Sequence, residues 1–352
     1  MYATWQMRTH TLELPPEVSD QTLHTFLRLY QLETWIREMV YLELKAYYGI
    51  DWWAEVEGLK RGNIRADLAE KYRSKDSQHP HISTPENDPL WFISFDSLLK
   101  IIFNEKMWKR FAPYFTTKTI LRSKFEEIAP VRNRVAHCRS LHAYDLRRLE
   151  QLMLDFDQGF WRFCTSYQDH YVFAGKLSNN EVAQNYENNP DVTVYYTVRP
   201  SLKIARRINP EIGRGVIYDV TIVSKHPLSR FLDYERILKS TRHVHKFVLH
   251  IILDSFQNSL RVTIPGTVTT TTVIEVIEKF WYACRNFYSI SPLVPLTSKT
   301  DVTQVSDLFR EHEDRQRPFQ LIAAKWPHYV IPPSHPYVFL DGSCPCSFFG
   351  IE

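Results

Sequence analysis

The stretch Phe125-Glu126-Glu127-Ile128-Ala129-Pro130-Val131-Arg132-Asn133-Arg134-Val135-Ala136-His137-Cys138 carries two patterns at once. Ile128, Val131, Val135 and Cys138 fall at the spacing of one buried helical stripe. At about 100° per residue, Arg132, Asn133 and His137 then occupy an arc of roughly 140° on the other side. Asn133 and His137 stack on one face. Pro130 either kinks a longer helix or opens a new one. In the second case Arg132 and Asn133 would stand near a helix N-terminus, where free N–H groups favour phosphate.

These residue types suit RNA cleavage without a metal or other cofactor. The reaction needs a base for the ribose 2′-hydroxyl and an acid for the departing 5′-oxygen, and an imidazole can serve as either. It also needs fixed positive charge beside the phosphorane-like transition state, which a guanidinium supplies bidentately. Asn133 can hydrogen-bond the phosphate or orient His137. The same arrangement also fits a solvated polar face opposite a core stripe. Arg134 fits a surface role or an RNA contact. Arg139 and Tyr144 fit a cleft lining, packing or plain exposure. Glu126 and Glu127 fit solvation or a hold on Arg132.

The flanking segments read as helices. Leu23 to Tyr48 has apolar residues at helical spacing (Leu23, Phe26, Leu27, Tyr30, Trp35, Met39, Leu42, Ala46), and Gly49 ends it. Ser19 or Asp20 can cap it, after an extended arm over 1–20. A second helix is expected from Trp52 to Arg73. A polar, Pro-containing loop follows over 74–89, then one helix from Leu90 to Phe111, one from Thr119 to His137 and one from Tyr144 to Tyr167.

In that setting the chain resembles the HEPN family. Arg132, Asn133 and His137 match the arginine, its usual polar follower and the histidine of the family's R-x4–6-H motif, and the short link to Leu141-His142-Ala143-Tyr144-Asp145 matches its context. The resemblance covers about residues 20–168. It implies a helical bundle that dimerises, with two motifs meeting across the dimer cleft as one composite ribonuclease site. It further implies a toxin or effector in antiviral defence, acting on RNA and open to control by a regulatory protein or antitoxin. Other members have lost activity, which gives the alternative: a non-catalytic module that binds nucleotide or RNA, or scaffolds a defence complex.

The second half changes character near residue 170. Val192–Val198 and Val216–Ile222 alternate as strands, Lys246–Leu253 and Leu260–Ile264 continue the pattern, and Leu228–Thr241 and Thr272–Tyr288 read as helices. The tail beyond 290 is Pro-rich, with one helical candidate over Thr303–Arg315. The expected architecture is an all-α, HEPN-like bundle over 21–170, followed by an α+β domain over 171–352 that senses a trigger, selects substrate or restrains the site.

Composition narrows the classes. The chain has 352 residues, enough for roughly two domains, and its 44% hydrophobic content excludes a mostly disordered protein. A net charge of +3 leans only weakly toward polyanions. Five cysteines without a framework, no signal-peptide pattern and no long apolar run together predict a cytoplasmic protein away from membranes. His243, His245 and His250 could share a strand face, but no carboxylate or cysteine sits nearby at ligand spacing, so no metal site is expected. Cys344-Pro345-Cys346 stands alone. Lys203, Arg206 and Arg207 fit either RNA or solvent.

Overall fold

The computed structural model describes residues 20–58, 71–72, 74–75, 89–165, 180–198, 216–224, 231–254, 258–289, 321–323 and 337–340. The expected arm up to residue 19, most of the 74–89 loop, the basic run at 203–207, the 303–315 helix and the Cys344–Cys346 pair lie outside these residues.

Helix α1 (Asp20–Tyr48) is the axis of the molecule. Sequence spacing predicts a single apolar stripe, yet from Gln31 to Ala46 every residue except Glu33 is buried. Phe26 and Tyr30, expected on that stripe, are exposed instead. From Gln31 onward α1 is covered from both sides, and a helix covered all round needs no polar face. Three of its buried charges meet different neighbours. Arg37 donates to the carbonyls of Leu90 and, at 3.0 Å, Ile93. Glu43 accepts from the Tyr114 hydroxyl at 2.9 Å. Lys45 donates to the Val248 carbonyl at 2.9 Å, which ties the helix to the strand-bearing half. Gly49 ends α1 in the left-handed region at φ 82°, its N–H bonded to the Lys45 carbonyl.

Helix α2 covers Trp52–Gly58. The single helix expected over Leu90–Phe111 is instead three pieces: a 3-10 turn at Pro89–Phe92, α3 (Phe95–Phe103) and α4 (Glu105–Phe111). Side chains that compete for backbone groups make the breaks. The Ser94 hydroxyl caps α3 by accepting from the Ser97 N–H, and the Asn104 side chain caps α4 by accepting from the Lys106 N–H. Helices α5 (Lys118–Ala136) and α6 (Asp145–Thr165) complete the bundle close to their expected bounds. Its core includes Leu32, Ile36, Met39, Leu98, Ile102, Phe125, Ile128, Phe156 and Phe160.

After the short α7 (Glu181–Asn185) come β1 (Val192–Val198) and β2 (Val216–Val223), as expected. The helix expected over 228–241 is shorter: β3 (Phe231–Leu232) precedes α8 (Tyr234–Ser240). The strand expected from Lys246 begins only at His250, because Arg242–Phe247 form a 3-10 helix. Strands β4 (His250–Leu253) and β5 (Ser259–Pro265) are followed by α9 (Thr270–Asn286), β6 (Tyr288–Ser289), β7 (Leu321–Ala323) and β8 (Tyr337–Leu340). Six strands form one sheet in the order β1-β2-β5-β4-β8-β7. It is antiparallel from β1 to β4 and parallel across β4-β8-β7. Strands β3 and β6 pair separately.

The layout is thus α+β, with a helical first half and a sheet in the second. Alternation along β2 sorts its side chains between two layers. Tyr218, Val220 and Ile222 join Val276, Ile277 and Phe280 of α9 in one core. Ile217, one position out of phase, joins Leu249 in the bundle core beneath α1. The two halves therefore share α1 as common packing material.

Candidate active site

Thr117 starts α5, its hydroxyl accepting from the Ile120 N–H. The helix buries Leu121, Phe125, Ile128 and Val131, and Val135 is half-buried. Pro130 lies inside the helix on its exposed side. The reading in which Pro130 opens a new helix is therefore corrected: Arg132, Asn133 and His137 stand at the carboxyl end of α5. That end presents carbonyls and partial negative charge, so a phosphate there would have to be met by side chains.

Cys138, expected to extend the buried stripe, is exposed and left-handed at φ 51°. The helix stops at Ala136, and its last carbonyls are satisfied by a Schellman closure. The Cys138 N–H donates to the Val135 carbonyl at 3.1 Å, and the Arg139 N–H to that of Arg134 at 2.8 Å.

The residues of the motif divide sharply. Asn133 and His137 are exposed, and Arg132 is partly so. The Arg132 guanidinium is braced from α1 and α3: its Nε lies 3.9 Å from Glu33 Oε2, and its carbon sits 5.9 Å from the centre of the Phe95 ring. Glu33 also binds Arg37 through its other oxygen. Arg134 points the other way. Its Nε and Nη2 donate to Asp145 at 2.8 and 2.6 Å, and the same carboxylate accepts from the His142 N–H at 2.8 Å. Burial by itself would raise the Asp145 carboxyl. Hydrogen bonds from Arg134 and His142, with the charge of Arg134, outweigh it and hold the group below the usual aspartate value. Arg139 is exposed in the link, and Tyr144 is 62% exposed where α6 begins.

No protein-family model, no curated protein and no solved structure matches the chain.

Two residues that shape the site escape the sequence reading. Glu33 stands far from the motif in sequence, and nothing local distinguishes it from other glutamates. Asp145 carries a usable signal, because a carboxylate in the first turn of a helix after a short link commonly engages backbone N–H groups. Glu126 and Glu127, considered as holds on Arg132, are exposed on α5.

The histidines of the second half do not share a strand face. His243 is exposed on the 3-10 turn, whereas His245 and His250 are buried. The His245 Nε2 lies 3.0 Å from the Thr241 hydroxyl, and its ring stacks on Phe280. Burial, with Arg242, His243 and Lys45 nearby, pushes its pKa down to about 3. Among the described residues no group of three His, Cys, Asp or Glu side chains is placed to hold a metal ion. Among them, too, no helix is long and apolar enough to cross a membrane.

Proposed function

We propose that the protein is a metal-independent endoribonuclease of HEPN type, with Arg132, Asn133 and His137 as its catalytic residues. The observation that carries this reading is the division of the motif turn. Arg134 is consumed in fixing the turn, while Asn133 and His137 are left open to solvent beside a braced Arg132.

In a two-fold pair of chains, one His137 takes the proton from the ribose 2′-hydroxyl. The 2′-oxygen then attacks phosphorus, and the second His137 protonates the departing 5′-oxygen. The products are a 2′,3′-cyclic phosphate and a 5′-hydroxyl. Arg132 neutralises the equatorial oxygens, and Asn133 binds the phosphate or orients the imidazole. The sheet-bearing half, joined to the bundle through α1, is suited to control when the site is used, as expected of an antiviral effector in the cytoplasm.

The test is cleavage of total RNA in EDTA by the native chain and by His137→Ala and Arg132→Ala. The expected result is cleavage by the native chain alone. Equal cleavage by all three, or by none, overturns the assignment.

A further inference from the structure

Helices α5 and α6 leave between them an open groove of about 290 Å³, lined by Lys124 and Glu127 on one side and by Tyr144, Arg147, Arg148, Gln151, Leu152 and Asp155 on the other. The two helices run in opposite directions, since Arg134 meets Asp145 while Lys124 meets Asp155. One end of the groove, at Tyr144, therefore opens beside the link that follows His137. The other end carries the Lys124–Asp155 ion pair. Tyr144, Arg148, Gln151 and Asp155 follow one another at helical spacing along one stripe of α6. The stripe extends roughly 16 Å at 1.5 Å per residue.

We infer that this groove binds a single-stranded segment of RNA and leads it to the motif turn; the inference rests on the ribonuclease reading. Charge and shape both favour that occupant. Lys124 and Asp155 neutralise each other, and Arg147 and Arg148 are exposed cations with no carboxylate partner among the described residues. They are placed to meet two phosphates. Tyr144 presents its ring to solvent at the motif end, as a surface on which an unpaired base stacks. Glu127 is exposed across the groove and offers acceptors to a base amino group, which a site for simple anions would not carry. Leu152 gives the floor an apolar patch. A duplex would hold its bases stacked inside and could not use Tyr144 in this way.

The experiment uses the full chain carrying His137→Ala and a fluorescein-labelled 12-nucleotide RNA of mixed, unpaired sequence, followed by fluorescence anisotropy. The double charge reversal Arg147→Glu/Arg148→Glu is expected to weaken binding at least tenfold and to flatten its salt dependence. Tyr144→Ala is expected to weaken it about fivefold or more, as loss of one stacking platform does. Both changes lie on the surface, and unchanged thermal unfolding verifies the fold. A charge-reversed chain that binds within twofold of the reference overturns the groove, as does a reference chain that binds no RNA, or one that binds a duplex of the same sequence equally well. Tight binding that depends on Arg147 and Arg148, without cleavage by the native chain, keeps the groove and removes the nuclease reading. Cleavage by the Arg147→Glu/Arg148→Glu chain with unchanged KM does the reverse.

Discussion

Arg134 and Asp145 form a two-pronged ion pair that spans the link between α5 and α6, with Nε–Oδ2 at 2.8 Å and Nη2–Oδ1 at 2.6 Å. The Asp145 side chain has no exposed surface, and Arg134 retains 20%. The pair therefore bridges the end of the motif helix to the start of the next, and the link carrying Cys138 to Tyr144 is held at both ends. Removing one partner of such a pair leaves a buried charge unanswered. Asp145→Ala is expected to cost about 3 kcal/mol, measured as a lowered urea midpoint with an unchanged slope. A cost below about 1 kcal/mol would mean that the pair behaves as a surface bridge.

The same carboxylate makes stability depend on acid. Its pKa is depressed in the folded state, so the contribution is complete above the unfolded aspartate value, about 3.9. It is lost as pH falls through the lower folded value. The native chain should therefore lose more stability than Asp145→Asn between about pH 5 and pH 2. Parallel stability–pH curves for the two would remove Asp145 as the cause.

Cys138 occupies the left-handed position of a Schellman closure, where glycine is the usual residue. A side chain in that conformation costs roughly 1 kcal/mol. Cys138→Gly should raise stability by several tenths of a kcal/mol after the entropy of the unfolded glycine is counted. Cys138→Val, branched at Cβ, should lower it by more than about 1 kcal/mol. Thermal unfolding of the two variants checks the order, and the reverse order would show that the turn relaxes.

Gly159 on α6 lets the helix approach the chain just before α5. A Cβ there would stand 1.8 Å from the Tyr114 carbonyl oxygen, a backbone atom that cannot swing aside. Gly159→Ala should cost at least about 2 kcal/mol despite its better helix propensity. Neutral or improved stability would show that α6 can withdraw from Tyr114 without loss.

Glu33 is placed as a positioning residue for Arg132. The contact with Arg132 is long and partly exposed and adds little stability, but Glu33 also pairs with the buried Arg37, so Glu33→Gln should cost about 1–3 kcal/mol. Under the proposed function it should lower RNA cleavage about tenfold, or 1.4 kcal/mol in the transition state, mainly in kcat. Loss of stability without loss of rate would assign Glu33 to the fold alone.

Local apolar periodicity set the larger elements. Helix α5 and strands β1 and β2 fall where apolar spacing puts them, because periods of 3.6 and 2 are local properties of the chain. The sequence also singled out Arg132, Asn133 and His137, and their openness in the structure follows from the stripe formed by Ile128 and Val131. The single helix expected over Leu90–Phe111 shows the limit: Ser94 and Asn104 captured nearby N–H groups, and a pattern of apolar residues does not register such competition. Packing between distant segments is what covers α1 from Gln31 to Ala46, with Glu33 left part-exposed, and what brings Glu33 to Arg132 and Asp145 to Arg134. Each of these depends on which surfaces meet across long stretches of chain. Burial then makes an unpaired charge so costly that the partner found there, rather than the residue type, fixes what each arginine does.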